Sequence, residues 1–302
     1  MRRFIHIVLI LGISLPVFGQ FTVPRLSQYL NNGLSANPAY AGSREARSIA
    51  GVYRSVYSGF EGNPDGAFIG YHTPSKKGNV AWGASYERSS NPGITNNGLY
   101  AHYAYRIWLG KLRLSMGLKA GLYNYSMNMD DLNLLHPNDN AFNSRSGFAP
   151  NFGAGFYLYN PDFFVGFSIP YFLNLPDSTG LTGEFDTRSY RYLLMTGYLL
   201  NITENLKIKP TAMVEYSIGS FDIQGGVNFI TFNDQLWLGA LYRTTSRTLT
   251  SILEIQVSSP LRIGIAYDYS FTNISRVSNG SFEVMFRYEW NYKTNVKSPI
   301  YF

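Results

Sequence analysis

In the stretch KLRLSMGLKAGLYNY, apolar side chains take every second position from Leu112 through Leu114, Met116, Leu118 and Ala120 to Leu122. Arg113, Ser115, Gly117, Lys119 and Gly121 fill the positions between. A period of two is that of a β-strand whose faces meet different surroundings. The pattern recurs to residue 291: Leu206, Ile208, Ala212, Val214 and Tyr216 oppose Lys207, Lys209 and Glu215, and Ile263, Ile265, Tyr267 and Tyr269 oppose Arg262 and Asp268. Near the end, Phe282, Val284, Phe286, Tyr288 and Trp290 oppose Glu283, Arg287 and Glu289. About fourteen such runs of roughly ten residues can be marked, the length a tilted strand needs to cross a bilayer.

The connections fall into two classes. Every second one is tight, as at Gly110–Lys111 and Asn160–Asp162, whereas Ser126 to Gly147 and Asn174 to Thr187 are long. Short turns at one end and long loops at the other are the pattern of an outer-membrane barrel, with turns in the periplasm and loops outside. A soluble sandwich also alternates, but its strands are shorter and its outward positions charged rather than Gly, Ser and Thr. The expectation is therefore an all-β fold, an outer-membrane β-barrel of about fourteen antiparallel strands over residues 47–291, closed because lipid cannot satisfy an open sheet edge. Its apolar face meets lipid, and Arg113 and Lys119 point into the lumen. Tyr100, Trp108, Tyr123, Tyr125 and Trp290, near strand ends, are expected in the interfacial girdles.

Composition agrees. Aromatic residues make up 16% of 302, with 24 Tyr and 21 Phe, and charged residues only 15%, against about 25% in soluble domains. Residues 1–19, with Arg2 and Arg3 before a short apolar run, read as a secretory signal peptide. Removing its two charges from the formal +6 leaves +4, spread along the chain, which is no footprint of a nucleic-acid partner. Without Cys there is neither a disulfide framework nor a thiolate metal site.

Residues 20–46 do not alternate, are too polar for a span, and with Phe21, Leu26, Tyr29, Leu30 and Tyr40 are rather apolar for a disordered tail. They are expected to form an N-terminal plug or a periplasmic arm. Asn37 before Pro38, followed by Gly42, reads as a turn that Tyr40 could anchor on the barrel wall.

Chemistry is sparse. His72 and His102 fall on lumen faces of separate strands, and no nucleophile, base and orienting group can be picked out; neither catalytic residues nor a cofactor is expected. Asp130, Asp131, Asn133, Asn138 and Asp139 offer oxygen ligands in a loop without the EF-hand spacing, which reads as a solvated loop rather than a metal site. The lumen charges Arg106, Arg113, Lys119, Arg191, Lys207, Lys209, Glu215, Arg262, Asp268, Glu283, Arg287 and Glu289 carry both signs. Paired, they fill a lumen; unpaired, they line a pore.

Three stretches carry a family resemblance. SQYLNNGLSANPAYAGS holds the pair Gln28–Tyr29 and the core Asn37, Pro38, Ala39, Tyr40, Ala41 and Gly42; YRSVYSGFEGNP holds Gly59, Phe60, Gly62 and Pro64; and the terminal SPIYF holds Pro299, Tyr301 and Phe302. In that order they resemble the signatures of the PorP/SprF family of type IX secretion outer-membrane proteins in Bacteroidetes. Tyr57, Asp65, Gly66 and Ile300 depart from the pattern. The resemblance implies a non-enzymatic outer-membrane component that assists export or surface anchoring of a large adhesin-like cargo with a type B C-terminal sorting domain, including gliding adhesins. Its implied partners are that cargo, the PorK/PorN ring and outer-membrane lipid, with both termini periplasmic and residues 292–302 a periplasmic tail. The alternative is a barrel similar to fatty-acid transporters, for uptake of apolar small molecules, which a wall opening at Pro210 or Pro170 beside an apolar pocket would support.

Overall fold

The computed structural model describes residues 26–29, 32–59, 62–128, 145–173, 187, 190–217 and 220–290. Its strands are β1 (Arg47–Ser55), β2 (Asp65–Pro74), β3 (Val80–Asn91), β4 (Ile94–Leu109), β5 (Leu112–Met127), β6 (Arg145–Tyr159), β7 (Phe163–Ile169) and β8 (Tyr192–Tyr198). The two-residue β9 (Leu200–Asn201) follows, then β10 (Lys207–Ser217), β11 (Ser220–Thr231), β12 (Leu236–Arg243), β13 (Thr248–Gln256), β14 (Leu261–Ser270) and β15 (Ser281–Trp290).

β8 and β9 are one stave interrupted at Leu199, so the sheet has fourteen staves, each antiparallel to its neighbours. β15 returns to β1 along a register from Arg47↔Trp290 to Ser55↔Phe282, which closes the ring. No backbone edge faces lipid along that seam, as a span without helices requires. No helix among the described residues is long and apolar enough to cross a membrane.

The alternation is the wall's inside and outside. Leu99, Leu118, Leu122, Phe156, Val284 and Phe286 are exposed on the outer face, while Arg106, Arg113, Lys119, Lys209, Arg262 and Glu283 are buried on the inner face. Two residues assigned to the girdles are inside: Tyr100 and Tyr123 are 2% and 5% exposed. Each shares the phase of an inward neighbour, Tyr100 with His102 and Tyr123 with Lys119, and in a strand phase overrides nearness to an end. Trp290 does face outward, whereas Trp108, though exposed, has the inward phase of Arg106 and lies at the end of its strand beneath the Arg113 guanidinium, which is 4.7 Å from the ring centroid.

The long joins begin later than expected. Ser126 pairs Ser146 and Met127 pairs Arg145, so β5 and β6 run on into what reads as loop. The rest of that join, with the acidic and amide cluster Asp130 to Asp139, and most of Asn174 to Thr187 lie outside the described residues. Pro92–Gly93 is a tight turn on the end that also carries the long joins. We call that the loop end and the opposite one the turn end.

Pro210 sits in a local break. The pairing of β10 with β8 stops at Thr211↔Gly197 and resumes with β9 at Ile208↔Leu200. Both stretches keep one register, so Lys209 and Pro210 stand opposite Leu199 and Tyr198 with the ladder lapsed between them. Pro210, which has no N–H to give, falls where those hydrogen bonds are not made. Pro170 lies just past the end of β7.

Candidate functional site

The inner wall carries a row of small side chains. Ala104 on β4, Gly117 on β5, Gly155 on β6 and Ser168 on β7 are successive register partners. The turn from Asn37 to Gly42 lies directly on that row. A Cβ on Gly117 would stand 2.1 Å from the Ala39 nitrogen, and one on Gly155 would stand 2.2 Å from Asn37 Oδ1. The glycines of the alternating strands are thus the space into which the N-terminal segment fits.

Asn37 has two tasks. Its Oδ1 accepts from the Ala39 N–H at 2.9 Å, capping the short 3₁₀ turn Pro38–Tyr40, while its Nδ2 donates to the Phe156 carbonyl at 2.9 Å. Pro38 at the first position of that turn supplies the fixed φ. Ser168 Oγ donates to the Ala36 carbonyl at 2.7 Å. Tyr40 is buried and meets His72 and Tyr157 edge-on, with ring centroids 5.5 and 5.7 Å away, a geometry that aromatic quadrupoles favour. Gly42, at φ +75°, turns the chain and donates its N–H to His72 Nδ1 at 3.1 Å, while its carbonyl accepts from Arg106.

Charges hold the segment at both ends. Toward the turn end, Arg44 Nε donates to Glu289 at 2.7 Å, and Glu45 accepts from Arg106 at 2.9 Å, from Arg113, and from the Tyr159 hydroxyl at 3.3 Å. Burial disfavours the Arg44 cation, but Glu289 outweighs it and raises the pKa above the ordinary arginine value. Toward the loop end, one carboxylate takes two backbone donors: Glu283 accepts from the Ser27 and Gln28 N–H groups, each at 2.7 Å. Ser27 Oγ accepts from Arg54 and from Arg243 (2.6 Å) and donates to Asp268 (3.2 Å). Arg54 also pairs with Asp268 and, at 3.2 Å, with Glu283, and Arg243 pairs with Asp268 at 3.0 Å. Tyr29 is buried beside them, and burial pushes its phenol well above the usual range against the lowering field of Arg243.

The remaining inward charges are also matched in sign. Lys119 reaches Glu87 at 3.5 Å and lies over the rings of Tyr100 and Tyr171, at 4.2 and 3.8 Å from their centroids. Arg191 pairs with Glu215 at 2.9 Å, Lys207 with Asp234 at 2.7 Å and Arg262 with Glu254 at 3.6 Å, and Trp237 stacks beneath both Lys209 and Arg262. His102 Nε2 lies 2.8 Å from Ser85 Oγ, but its Nδ1 has no partner among the described residues. The dyad therefore has no group to orient it as a base.

The second motif shapes the loop end. Gly59 and Gly62 adopt φ +115° and +76°, conformations that exclude ordinary side chains, and the Pro64 carbonyl accepts from the Val56 N–H at 2.8 Å. Phe60, Pro299, Tyr301 and Phe302 lie outside the described residues, as do residues 1–19.

A family profile described as "Type IX secretion system membrane protein PorP/SprF" matches residues 19–288. The chain belongs to the PorP/SprF family. Family and fold together make this PorP/SprF protein an outer-membrane component of type IX secretion. No curated protein matches it. Among solved structures, the CymD monoaromatic hydrocarbon channel superposes with a TM-score of 0.52 at 10% identity, covering 92% of this chain and 100% of that one. The P. putida toluene transporter TodX gives 0.49 at 10%, covering 88% and 95%, and the Acinetobacter baumannii protein Omp33 gives 0.48 at 10%, covering 81% and 98%. At such identities the likeness to CymD is one of fold.

The sequence reading missed several members of this constellation. Ser27, Arg44 and Glu45 lie outside any strand, and only the fold shows what faces them. Glu87, Arg243 and Glu254 could have been found, since each lies on the inward phase of its strand.

Proposed function

We propose that this PorP/SprF protein assists export or surface anchoring of a large secreted cargo with a type B C-terminal sorting domain, acting through protein contacts rather than through an open pore. The observation that carries this reading is what fills the lumen: residues 26–29 and 32–46, with the family's own motif among them, are bonded to opposite sides of the wall, and we take them to act as a plug. Inward charges of both signs stand in pairs, the arrangement that fills a lumen. The turn end, from which the chain leaves β15, is periplasmic and faces the PorK/PorN ring; the loop end faces the cargo outside.

Uptake of apolar molecules is the competing reading, and the lapse in strand pairing at Pro210 is what favours it. Against it, the cavity between the segment and the wall at Leu26, Phe68, Leu193 and Met213 measures about 40 Å³ and also presents Glu87 and Arg191. That volume suits a few water molecules and not an alkyl chain.

The test is affinity purification of the tagged protein from native outer membranes, with mass spectrometry of what accompanies it. Recovery of a large secreted protein with a C-terminal sorting domain, or of the periplasmic ring proteins, is expected. A barrel recovered alone with a bound lipid or fatty acid would replace this reading with the transporter.

A further inference from the structure

Above the Ser27 cluster, toward the loop end, the barrel holds a second and larger cavity of about 340 Å³, within the range of roughly 300–1,000 Å³ typical of small-ligand sites. Its floor is formed by Arg54, Arg243 and Asp268, the groups that hold the Ser27 hydroxyl. Its walls present hydroxyl, amide and carboxylate groups, among them Asp65, Asn91, Ser246, Thr248 and Ser281. The Ser246 hydroxyl is buried without a hydrogen-bond partner among the described residues, which a ligand could supply.

Three observations define what this cavity would take. The two cations of the lining, Arg54 and Arg243, are balanced by Asp65 and Asp268, so the lining favours a neutral ligand over an ion. The floor already demonstrates its own chemistry: it grips one aliphatic hydroxyl, which accepts from two guanidinium groups and donates to a carboxylate. Finally, Tyr57 on the cavity rim stands at φ +51°, a conformation unfavourable for a bulky side chain, and is held there by its N–H bond to Ser281 Oγ at 3.0 Å. Backbone strain of this kind persists where the surroundings impose it and clusters at ligand sites. An aromatic ring beside hydroxyl-binding groups offers a face for the C–H side of a sugar ring and polar partners for its hydroxyls.

We infer that the loop-end cavity is a binding site for a neutral saccharide of one or two rings, presented either free or as a glycan carried by a protein. The inference does not rest on the cargo reading, because sugar binding is read on the purified barrel without secretion partners.

The experiment is saturation-transfer difference NMR on the purified barrel in a non-glycosidic detergent. The probes are maltose, cellobiose and chitobiose, followed by a serine-linked mannosyl glycopeptide. Saturable transfer to at least one probe is expected, weakened tenfold or more in Asp65→Ala, Asn91→Ala and Thr248→Val variants that keep the heat-modifiable gel mobility of a folded barrel. Transfer to the glycopeptide alone, lost in the same variants, supports the site and places its sugar on a protein. Absence of transfer to every probe, or transfer equal in wild type and variants, overturns the assignment.

Discussion

Gly117 decides whether the motif turn can reach the wall, because its missing side chain leaves the space that the Ala39 backbone occupies. Gly117→Val should cost about 1–3 kcal/mol through overpacking and expel the turn while the strands stay paired. Trypsin should then cut after Arg44, which is buried in the native protein; protection equal to wild type would show that the turn is not held there. Glu283 acts at the other anchor, accepting two backbone N–H groups and pairing with Arg54. Glu283→Ala leaves buried donors and a cation short of an acceptor and should cost about 3–5 kcal/mol, read from the denaturant midpoint. A loss below about 1 kcal/mol, the worth of an exposed pair, would remove Glu283 from the anchor. These roles were only partly legible. That Asn37, Pro38 and Gly42 form a turn follows from their own chemistry. That its seat is Gly117 and Gly155 does not, because inward glycines in a strand look the same whether they face water, a ligand or another backbone.

Strand phase was the most readable property of the elements. Strands beginning at Arg47, Leu261 and Ser281 follow from alternation alone, since lipid and lumen impose opposite preferences on neighbouring residues. Tyr100 and Tyr123 show the cost of weighing an aromatic residue's position near a strand end above its phase. The lapse in pairing at Pro210 was out of reach for another reason: proline in a strand is visible in one chain segment, but the place where its neighbour stops pairing, at Tyr198 and Leu199, belongs to a different one. Closure rests on β1 and β15, the elements farthest apart in sequence, and Tyr53 pairs outward-facing Val284. Paired residues of antiparallel strands stand about 4.5–5.5 Å apart at Cα, within disulfide reach, and the chain has no Cys of its own. Tyr53→Cys with Val284→Cys should therefore form an intramolecular crosslink under a membrane-permeant oxidant, seen as a reductant-sensitive gel shift. A barrel with an open seam would give none.

At the scale of the whole molecule, a fourteen-stave wall encloses an N-terminal segment and paired charges. Amphipathic strands say that a lumen exists, and the mixed signs of its side chains hint at how it is filled. The filling itself depends on contacts between residues more than two hundred positions apart, such as Ser27 with Glu283, and these appear only in three dimensions. The central claim is that the lumen is occupied, so that the protein works through its contacts and not as a conduit. Single-channel conductance in planar bilayers tests it most directly, comparing wild type with a variant lacking residues 26–46. The wild type should be electrically silent and the deletion should conduct; a wild type that conducts as well as the deletion would contradict the account.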